Sequence, residues 1–395
     1  MRAPLAYERE PYRTELQVRV VATGEDGGRH WAVLDDTVLY PEGGGQPSDT
    51  GSLAGVAVVD VRRVEGEVRH TLAAAVAKGP ADLRLDWARR FDHMQQHTGQ
   101  HLLTAVATDR FGWETTAFHL GAETCDVELA VSSISEAEAA RLEEEVASVV
   151  REARPVRSRR VSVEELQELP VRTRGLPDGH TGDVRLVEIE GVDLNTCGGT
   201  HLRSTAEIEA LKLLGTERLR GGTRLFFVAG GRARRRLGAH EARSALLRAL
   251  LGVPDTGLAE AVEAKLGQLA DRERELRDAE EDLAQARADS LAAAGAPLAE
   301  VHFDGRDLAF LSRVGKRFAA LPVSGVAFLT SAREGAGAFL LAAGGAATVD
   351  LRPLGAAVAE ALDGRGGGSG KLYQGKANID RRGAALDLLR SRLGA

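Results

Sequence analysis

Two groups of potential metal ligands constrain this chain most, because they require two distant segments to meet. His93, His97 and His101 are spaced four apart, and Cys197 and His201 have the same spacing in CGGTH. Helical periodicity around the histidines places all three on one face. A thiolate and imidazoles are ligands that suit zinc. The sequence therefore predicts one zinc ion per chain, held by Cys197, His201 and two of the three histidines, and it leaves the choice of the two open.

The cysteine content supports a metal-binding role. Only two cysteines occur in 395 residues, so a disulfide framework is excluded and Cys125 and Cys197 are free thiols or ligands. Hydrophobic residues make up 43% of the chain and charged residues 28%, a balance typical of globular rather than disordered proteins. The length predicts several domains. The start, MRAPLAYEREPYRTEL, lacks the apolar segment of a signal peptide, which predicts a cytoplasmic protein with no membrane partner.

Residues 1–88 are predicted to form a small antiparallel β-barrel. ELQVRVVATG, HWAVLDDTVLY and GVAVVDVRRVEGEVRHTL have strand-like patterns, separated by Gly, Pro and Asp. Between the second and third of these runs lies YPEGGGQPSDTG, in which Gly43, Gly44 and Gly45 precede Gln46. Glycines allow positive backbone dihedrals and close approach of the main chain to a ligand. A plain hairpin loop and a ligand-contacting loop are the two interpretations.

Residues 89–231 are predicted to form an α+β domain. The segment from Trp87 through RRFDHMQQHTGQHLLTAVATDRFG is helical, and a second helix begins after Ser135, which is placed as its N-cap. Strand-like runs follow in VRLVEIEGVDLNTCGGTHL, AEIEALKLLGTERL and GTRLFFVAG. This order favours a sheet that carries the two helices.

Residues 232–295 are predicted to be helical and residues 296–395 to form a separate α/β domain. The helical part has few breakers, and apolar residues recur at every seventh position, at Val262, Leu269, Leu276 and Leu283. The alternatives are an antiparallel helical hairpin and a coiled coil that pairs two chains. A homodimer would form through this segment or through the C-terminal domain.

Arginines cluster at two places despite a net charge of −7. The clusters comprise Arg151, Arg154, Arg157, Arg159 and Arg160, and then Arg218, Arg220, Arg224, Arg232, Arg234, Arg235 and Arg236. Contact with a phosphate backbone and pairing with the many glutamates of the chain are the alternatives.

Two of these motifs resemble a known family. The runs HTGQHLL and NTCGGTHL are similar to the paired signature of the alanyl-tRNA synthetase editing domain and of its free-standing relatives, the alanyl-tRNA editing (AlaX-type) proteins. This resemblance implies that His97, His101, Cys197 and His201 hold the zinc. His93 is then a residue that supports the ligands or faces the substrate.

The resemblance covers nearly the whole chain. YPEGGGQPSDTG is similar to the glycine motif of the barrel that precedes the family's editing domain, and GGGSGKLYQGKA resembles the motif of the DHH-associated domain at the synthetase's C-terminus. The implied fold is an α+β multidomain protein with a β-barrel, a zinc-containing editing domain, a helical or coiled-coil linker and a C-terminal α/β DHH-associated domain. The chain starts where the editing half would start, so activation of alanine by ATP is not expected. The C-terminal motif departs from the family at Ser369, Lys371 and Tyr373.

The function implied by the resemblance is trans-editing, the hydrolysis of Ser-tRNA(Ala) and also of Gly-tRNA(Ala), by a zinc-containing ester hydrolase. Rejection of serine needs a polar group that binds its hydroxyl, since an apolar pocket discriminates weakly. Gly43, Gly44, Gly45 and Gln46 are interpreted as a lid over the pocket. The candidate reading residues are Thr98, Gln100, Thr116 and His119, with His93 beside them.

The C-terminal glycine motif resembles the domain with which the synthetase binds the tRNA elbow, which implies that the motif and the cations that flank it bind tRNA(Ala). Loop glycines would bring backbone N–H groups close to phosphates or unstacked bases. The candidates are Gly366, Gly367, Gly368, Gly370, Lys371, Gln374, Gly375, Lys376, Arg381 and Arg382. The alternative is that this domain only folds and dimerises the chain.

Three other functions are alternatives to editing. A noncatalytic, zinc-stabilised RNA-binding protein is the main alternative, because closed zinc and arginine clusters would suffice for it. A DHH-type phosphoesterase needs clustered aspartates, and FDHMQQH offers one. A zinc metalloprotease needs a glutamate between its two histidines, and neither pair encloses one.

Overall fold

The structure is a computed structural model that describes residues 4–172, 182–333 and 335–395. The chain forms two compact units, Met1–Leu246 and Leu247–Ala395. Within the described ranges, every helix is too short or too polar to span a bilayer.

The first unit begins with a short helix and a closed six-stranded barrel. Neighbouring strands are all antiparallel, in the order β1-β2-β5-β4-β3-β6. Alternate side chains, such as Val18, Val20 and Leu83, fill its core, as the period-two pattern requires. The predicted barrel is confirmed. The elements are α1 (Ala6–Arg9), β1 (Glu15–Asp26), β2 (Arg29–Leu34), β3 (Gly51–Leu53), β4 (Val56–Val64), β5 (Glu67–Leu72) and β6 (Gly79–Leu85).

A 25-residue helix, α2 (Trp87–Phe111), follows the barrel. The Asp86 carboxylate caps its first turn, and Gly112 ends it in the left-handed conformation at φ 70°. The helix buries polar residues as well as apolar ones. The Gln96 side chain exchanges two hydrogen bonds, of 2.8 and 2.9 Å, with the backbone of Ala229. Paired amides of this kind satisfy the polar groups that the packing buries.

The rest of the first unit has two antiparallel sheets, ordered β12-β13-β8-β7 and β11-β10-β9. Ser135 caps α3 in a capping box with Glu138, which confirms the predicted N-cap. Strands β7 and β8 were not predicted, and the single expected sheet is two. The elements are β7 (Thr115–Leu120), β8 (Cys125–Leu129), α3 (Glu136–Arg151), β9 (Val156–Val161), α4 (Val163–Glu168), β10 (Val184–Ile189), β11 (Asp193–Thr196), β12 (Leu211–Leu219), β13 (Gly222–Ala229) and α5 (Gly231–Leu251).

The second unit is a mixed five-stranded sheet with helices, ordered β14-β15-β16-β18-β17. β14 and β15 are parallel and the other pairs antiparallel. GGGSGKLYQGK forms the β17–β18 hairpin at one edge. The elements are α6 (Leu258–Ala293), β14 (Leu298–Asp304), α7 (Leu308–Ala320), β15 (Val326–Arg333), β16 (Ala336–Ala343), α8 (Leu351–Ala361), β17 (Arg365–Ser369), β18 (Leu372–Lys376) and α9 (Arg382–Leu393).

The division into units differs from the four predicted parts. The barrel and residues 89–231 share one unit, and the predicted helical segment 232–295 is divided between the two units. On α6 the heptad residues Leu269 and Leu276 are 56% and 60% exposed, while Leu283 packs against the core of the second unit. This exposure argues against a hairpin that buries the whole heptad seam within one chain.

Candidate metal centre

Four of the predicted ligands meet in the first unit. One side-chain atom from each of His97, His101, Cys197 and His201 lies within 4.8 Å of the other three. His93, one turn earlier on α2, is not in this group. The structure thus groups the second and third helical histidines, and not the first, with Cys197 and His201.

A tight turn after β11 brings the second pair to the helix. A Cβ on Gly199 would lie 2.2 Å from Cε1 of His97, so a larger residue cannot occupy this position without moving the imidazole. The Arg185 guanidinium holds the same turn, because its Nη1 donates to the carbonyls of Cys197 at 2.9 Å and Gly199 at 2.7 Å. Sequence alone gave no signal for this role of Arg185.

Each histidine has a partner on its Nδ1. The Nδ1 of His97 lies 2.8 Å from Oε1 of Gln46, and that of His101 lies 3.1 Å from Oδ2 of Asp193. The Nδ1 of His201 lies 3.2 Å from the Thr98 hydroxyl, which also accepts from the backbone N–H of Leu202. Partners on Nδ1 fix the ring orientation and leave Nε2 for a metal.

The donor set fits a tetrahedral metal ion. The Cys197 Sγ lies 3.4 Å from Nε2 of His97 and 3.2 Å from Nε2 of His201. Nitrogen and sulfur ligands bound tetrahedrally to zinc stand about 3.3–3.8 Å apart. The Cys197 sulfur therefore has close to this spacing from two of the imidazoles, and all four ligand atoms lie within 4.8 Å of one another.

The electrostatics favour a thiolate ligand. Burial would raise the pKa of Cys197, but the neighbouring His97 and His201 hold that pKa well below its usual range. For His101, burial would lower the pKa, and the bond to Asp193 together with Cys197 raises it to about 10. Cysteine binds metal as the thiolate, so these neighbours prepare it for binding.

A buried ion pair connects the barrel to the ligand helix. Arg90 on α2 and Asp49 are both fully buried and hydrogen-bonded, and Asp49 also accepts from the backbone N–H of Tyr40 at 2.6 Å. The Tyr40 hydroxyl donates to the Gly43 carbonyl at 2.8 Å. These contacts close the base of the glycine loop, and they hold Gln46 against His97.

The glycine loop differs from the predicted lid. Gln46 is fully buried, and its Nε2 donates to the Thr200 hydroxyl at 2.8 Å. Gly45 has φ 80°, and a Cβ there would lie 2.9 Å from the Phe118 ring. Gln46 thus supports a ligand, and together with Gly43, Gly44 and Gly45 it also borders a cavity of about 710 Å³.

The predicted reading residues lie in different surroundings. His119 lines this cavity, and its Nδ1 is 2.9 Å from Asp126. Thr98 supports His201 and is buried. Thr116 is exposed and donates to the Glu128 carbonyl at 3.3 Å. Only His119 of these three combines exposure with a place beside the glycine loop.

Two other buried polar residues of α2 lie near the ligands in sequence. Gln100 donates to the Thr104 hydroxyl at 2.8 Å, and its own Oε1 has no partner among the described residues. His93 is buried, and its Nδ1 likewise lacks a partner within the described part of the chain. Burial, with the nearby Arg89, lowers the pKa of His93 to about 4. Neither residue touches the four ligands through a described hydrogen bond.

Some of the candidate tRNA-binding residues in the C-terminal part of the chain bond to other residues of the second unit, and others are exposed. Lys371 donates to the carbonyls of Gly344 and Ala347, and Arg382 pairs with Glu300 at 2.7 Å. These two cations are committed within the unit, contrary to the prediction that they face RNA. Lys376 and Arg381 are exposed. The glycines Gly366, Gly367, Gly368 and Gly370 lie on or next to the exposed edge strand β17, and Gln374 and Gly375 lie on β18.

The first arginine cluster is paired with carboxylates. Each of its five members lies within 2.9 Å of a glutamate oxygen: Arg151 with Glu144, Arg154 with Glu152, Arg157 with Glu190, Arg159 with Glu165, and Arg160 with Glu8. In the second cluster, Arg224, Arg232, Arg234 and Arg235 are paired likewise. Pairing with glutamates and aspartates therefore accounts for most of both clusters.

The site and its surroundings agree with comparisons to known proteins. Residues 184–226, which include β10 and the Cys197 turn, match the threonyl and alanyl tRNA synthetase second additional domain. The chain thus contains a segment similar to this domain of the synthetases, and Cys197 and His201 of the four-residue cluster lie within it.

Full-length relatives identify the family. The chain is 36% identical to the alanyl-tRNA editing protein Aarsd1 of Mus musculus, over 97% of this chain and 96% of that protein. It is 33% identical to the alanyl-tRNA editing protein AlaX-M of Methanosarcina acetivorans, over 51% of this chain and 88% of that one. The chain belongs to the alanyl-tRNA editing protein family.

Two further comparisons cover less. The alanine–tRNA ligase of Ignicoccus hospitalis is 33% identical over 57% of this chain and 26% of the ligase. The C-Ala domain of the Aquifex aeolicus alanyl-tRNA synthetase matches 25% of this chain at 22% identity, with a TM-score of 0.24, which supports no conclusion about the second unit.

Proposed function

We propose that the protein is a zinc-dependent hydrolase that removes serine, and also glycine, from mischarged tRNA(Ala) in the cytoplasm. One observation carries this proposal: a thiol and three oriented imidazoles converge next to a cavity bounded by the glycine loop. The family supports tRNA as the substrate class. Zinc suits this donor set.

The residues of the chain give the site its order. When bound, zinc would polarise the ester carbonyl or orient the amino group of the substrate. Gln46, Asp193 and Thr98 fix the imidazoles, so the ligand atoms need little reorganisation. The cavity beside Phe118 and His119 gives the aminoacyl end of the RNA a place next to His97, because the rings of Phe118 and His97 are 6.3 Å apart.

We assign the reading of the serine hydroxyl to His119. The Asp126 carboxylate accepts a hydrogen bond from the Nδ1–H of His119, which leaves the other ring nitrogen as an acceptor for a hydroxyl. A His119→Leu variant should therefore hydrolyse Ser-tRNA(Ala) about tenfold more slowly, since a lost hydrogen bond to a bound hydroxyl has this order of effect. Hydrolysis of Gly-tRNA(Ala), which has no hydroxyl to read, should be nearly unchanged. Equal losses on both substrates would contradict the assignment.

The experiment that tests the function measures release of the amino acid from Ser-tRNA(Ala), Gly-tRNA(Ala) and Ala-tRNA(Ala) by the purified full chain, alongside its zinc content. Rapid release from the first two substrates and sparing of the third is the expected result. Four protein ligands also make a closed site, as in structural zinc sites. Tight RNA binding without release from any substrate would therefore favour the noncatalytic RNA-binding alternative.

The second unit is proposed to contribute RNA binding and assembly. Lys376 and Arg381 remain exposed beside the glycine hairpin, where they can contact phosphates. The exposed heptad leucines on α6 are proposed to pair with the same helix of a second chain, because a coiled coil buries apolar side chains at this spacing.

A further inference from the structure

We propose that Arg63, Arg160 and Arg185 form the binding site for the phosphodiester that joins the last two nucleotides of the substrate RNA. This inference rests on the proposed function, since it places the aminoacyl ester at the metal centre. It assigns a role to a second cavity, which shares Gly43, Gly44 and Arg63 with the first.

The second cavity lies directly against the ligand turn. It has a volume of about 300 Å³ and is lined by the three arginines together with Gly43, Gly44 and Gly198. Gly198 stands between Cys197 and Gly199, whose carbonyls accept from Arg185. An occupant of this cavity is therefore separated from the metal ligands by a single turn of backbone.

The three guanidiniums come from three strands and converge on one space. Arg63 is on β4, Arg160 on β9 and Arg185 on β10. Glu8 is their shared acidic neighbour: it pairs with Arg160, and it lies 3.8 Å from Arg63. Glu42 also borders the cavity, but it pairs with Arg62 at 3.0 Å. Positive charge is thus in excess at the wall of the cavity.

Arg185 is the member best placed to bind an anion. Among the described residues, only its Nη1 is hydrogen-bonded, so the other edge of its guanidinium remains open for a ligand. Burial also lowers the pKa of Arg185 below its usual range, although Cys197 opposes this. A planar guanidinium binds two oxygens of a phosphate at once, and an anion would compensate its desolvation.

The dimensions of a nucleotide favour a phosphate as the anion. The ester is attached to the terminal ribose, and the 5′ phosphate of that nucleotide lies one sugar ring away. A ribose placed between the metal centre and the second cavity would therefore direct its phosphate at the arginines. The backbone of Gly43 and Gly44 lines the same space, and its lack of side chains allows a sugar or phosphate to approach closely.

The site is tested by measuring the binding of an RNA probe, so the test does not depend on hydrolysis. The experiment is a double-mutant cycle in which the charge of an arginine and the charge of the phosphate are removed separately and together. The probe is an RNA minihelix with the tRNA(Ala) acceptor sequence, carrying serine through a non-hydrolysable amide, made with either a native or an uncharged methylphosphonate linkage at the last phosphodiester. Wild-type protein should bind the uncharged probe about tenfold more weakly, as expected for loss of a charge-assisted contact. Arg63→Gln should bind the native probe more weakly and should show a smaller preference for the native linkage than wild type, because the two changes remove part of the same interaction while Arg160 and Arg185 remain.

The matched control is Arg159→Gln, which changes the residue before Arg160 on β9; Arg159 pairs with Glu165 and is not among the residues that line either cavity. It should keep the full tenfold preference for the native linkage. An Arg63→Gln protein that also keeps the full preference would overturn the proposal, as would a wild-type protein with no preference. Inorganic phosphate added as a competitor shows whether a free anion suffices: preferential loss of native-probe binding supports the site.

A second variant, at Arg185, tests the part of the site that is hydrogen-bonded to the turn containing Cys197. Arg185→Lys should keep its zinc, measured by metal analysis, and should weaken binding of the native probe more than of the uncharged one. Hydrolysis of the ester-linked minihelix is followed separately. Absence of hydrolysis in the wild-type protein would refute the proposed function, whereas the linkage preference alone decides the phosphate site.

Discussion

Helices α2 and α6 contrast in where they place their polar and apolar side chains. α2 buries Arg90, Gln96 and His97, while α6 exposes Leu269 and Leu276. The usual amphipathic pattern puts apolar residues inside and polar residues outside. Each helix departs from that pattern in the opposite direction.

The contrast teaches that a departure from the pattern indicates a partner. The buried polar groups of α2 are bonded to a neighbouring element: Arg90 to Asp49, Gln96 to Ala229 and His97 to Gln46. A buried polar group without such a partner is costly. The leucines of α6 lack a comparable neighbour in the described part of the chain, which is why we propose a second copy.

The largest expected effect comes from removing a metal ligand from the α2 site. Cys197→Ala should lose zinc and reduce release of serine from Ser-tRNA(Ala) by at least about a hundredfold, because the remaining imidazoles form an incomplete donor set. Metal analysis and the deacylation assay measure the two effects. The matched control is Cys125→Ala, since Cys125 is buried in the core of the same unit and is not a ligand. Full zinc occupancy in Cys197→Ala would refute the ligand assignment.

The second effect concerns Arg90, the buried arginine of α2, and tests whether its contribution to stability depends on the ion pair with Asp49. Arg90→Met leaves the Asp49 carboxylate buried without its cation, which should lower the free energy of unfolding by about 3–5 kcal/mol. Urea unfolding of the full chain measures it. Arg89→Met, at the neighbouring and less buried position, should cost less than about 1 kcal/mol. In the double variant Arg90→Met with Asp49→Leu, much of the loss should be recovered, and failure to recover would mean that Arg90 acts through its other bonds.

The same contrast shows what the sequence could predict. Spacing placed His93, His97 and His101 on one face and predicted that two of them share a metal with Cys197 and His201, and the resemblance selected four of these five candidates. Gln46 was expected in a lid and Thr98 in a substrate pocket, yet both support histidines. Such contacts span 51 and 103 residues, and no local pattern encodes them. Asp193 was missed for the same reason, since an isolated acidic residue at the start of a strand carries no signal of its own.

The barrel and the heptad seam mark the same limit in the fold. Period-two alternation predicted the barrel because each strand has one buried face. The seven-residue repeat predicted a seam on α6, but Leu283 packs inside its own unit while Leu269 and Leu276 are exposed. Periodicity defines which face is apolar, and only the tertiary structure shows what covers it.

The third prediction concerns His93, a buried histidine of α2 that lies outside the four-residue metal cluster. The pKa of His93 is about 4 in the folded chain, below the value of about 6.5 in unfolded chains. Between these values the unfolded state binds more protons, so His93 contributes stability above pH 6.5 that is lost as the pH falls toward 4. The loss should amount to about 3 kcal/mol. His93→Gln should flatten the stability profile over this range relative to wild type, with metal release common to both proteins. His240→Gln, on an exposed part of α5, should leave the profile unchanged.

The smallest effect on the stability of a single chain is expected from substitutions on α6. These substitutions should instead change the assembly of two chains. Leu269→Lys with Leu276→Lys should change the free energy of unfolding of the monomer by less than about 0.5 kcal/mol, because both side chains are already exposed. If the seam pairs two chains, the wild-type protein should sediment as a dimer, and these lysines, which place charge in the core of the seam, should abolish that dimer. Leu283→Lys is the matched change at the same heptad position, and it should destabilise the second unit, because Leu283 packs against its core. A wild-type chain that sediments as a monomer at all concentrations would remove the proposed partner, and the exposed leucines of α6 would then have to bind something other than a second copy.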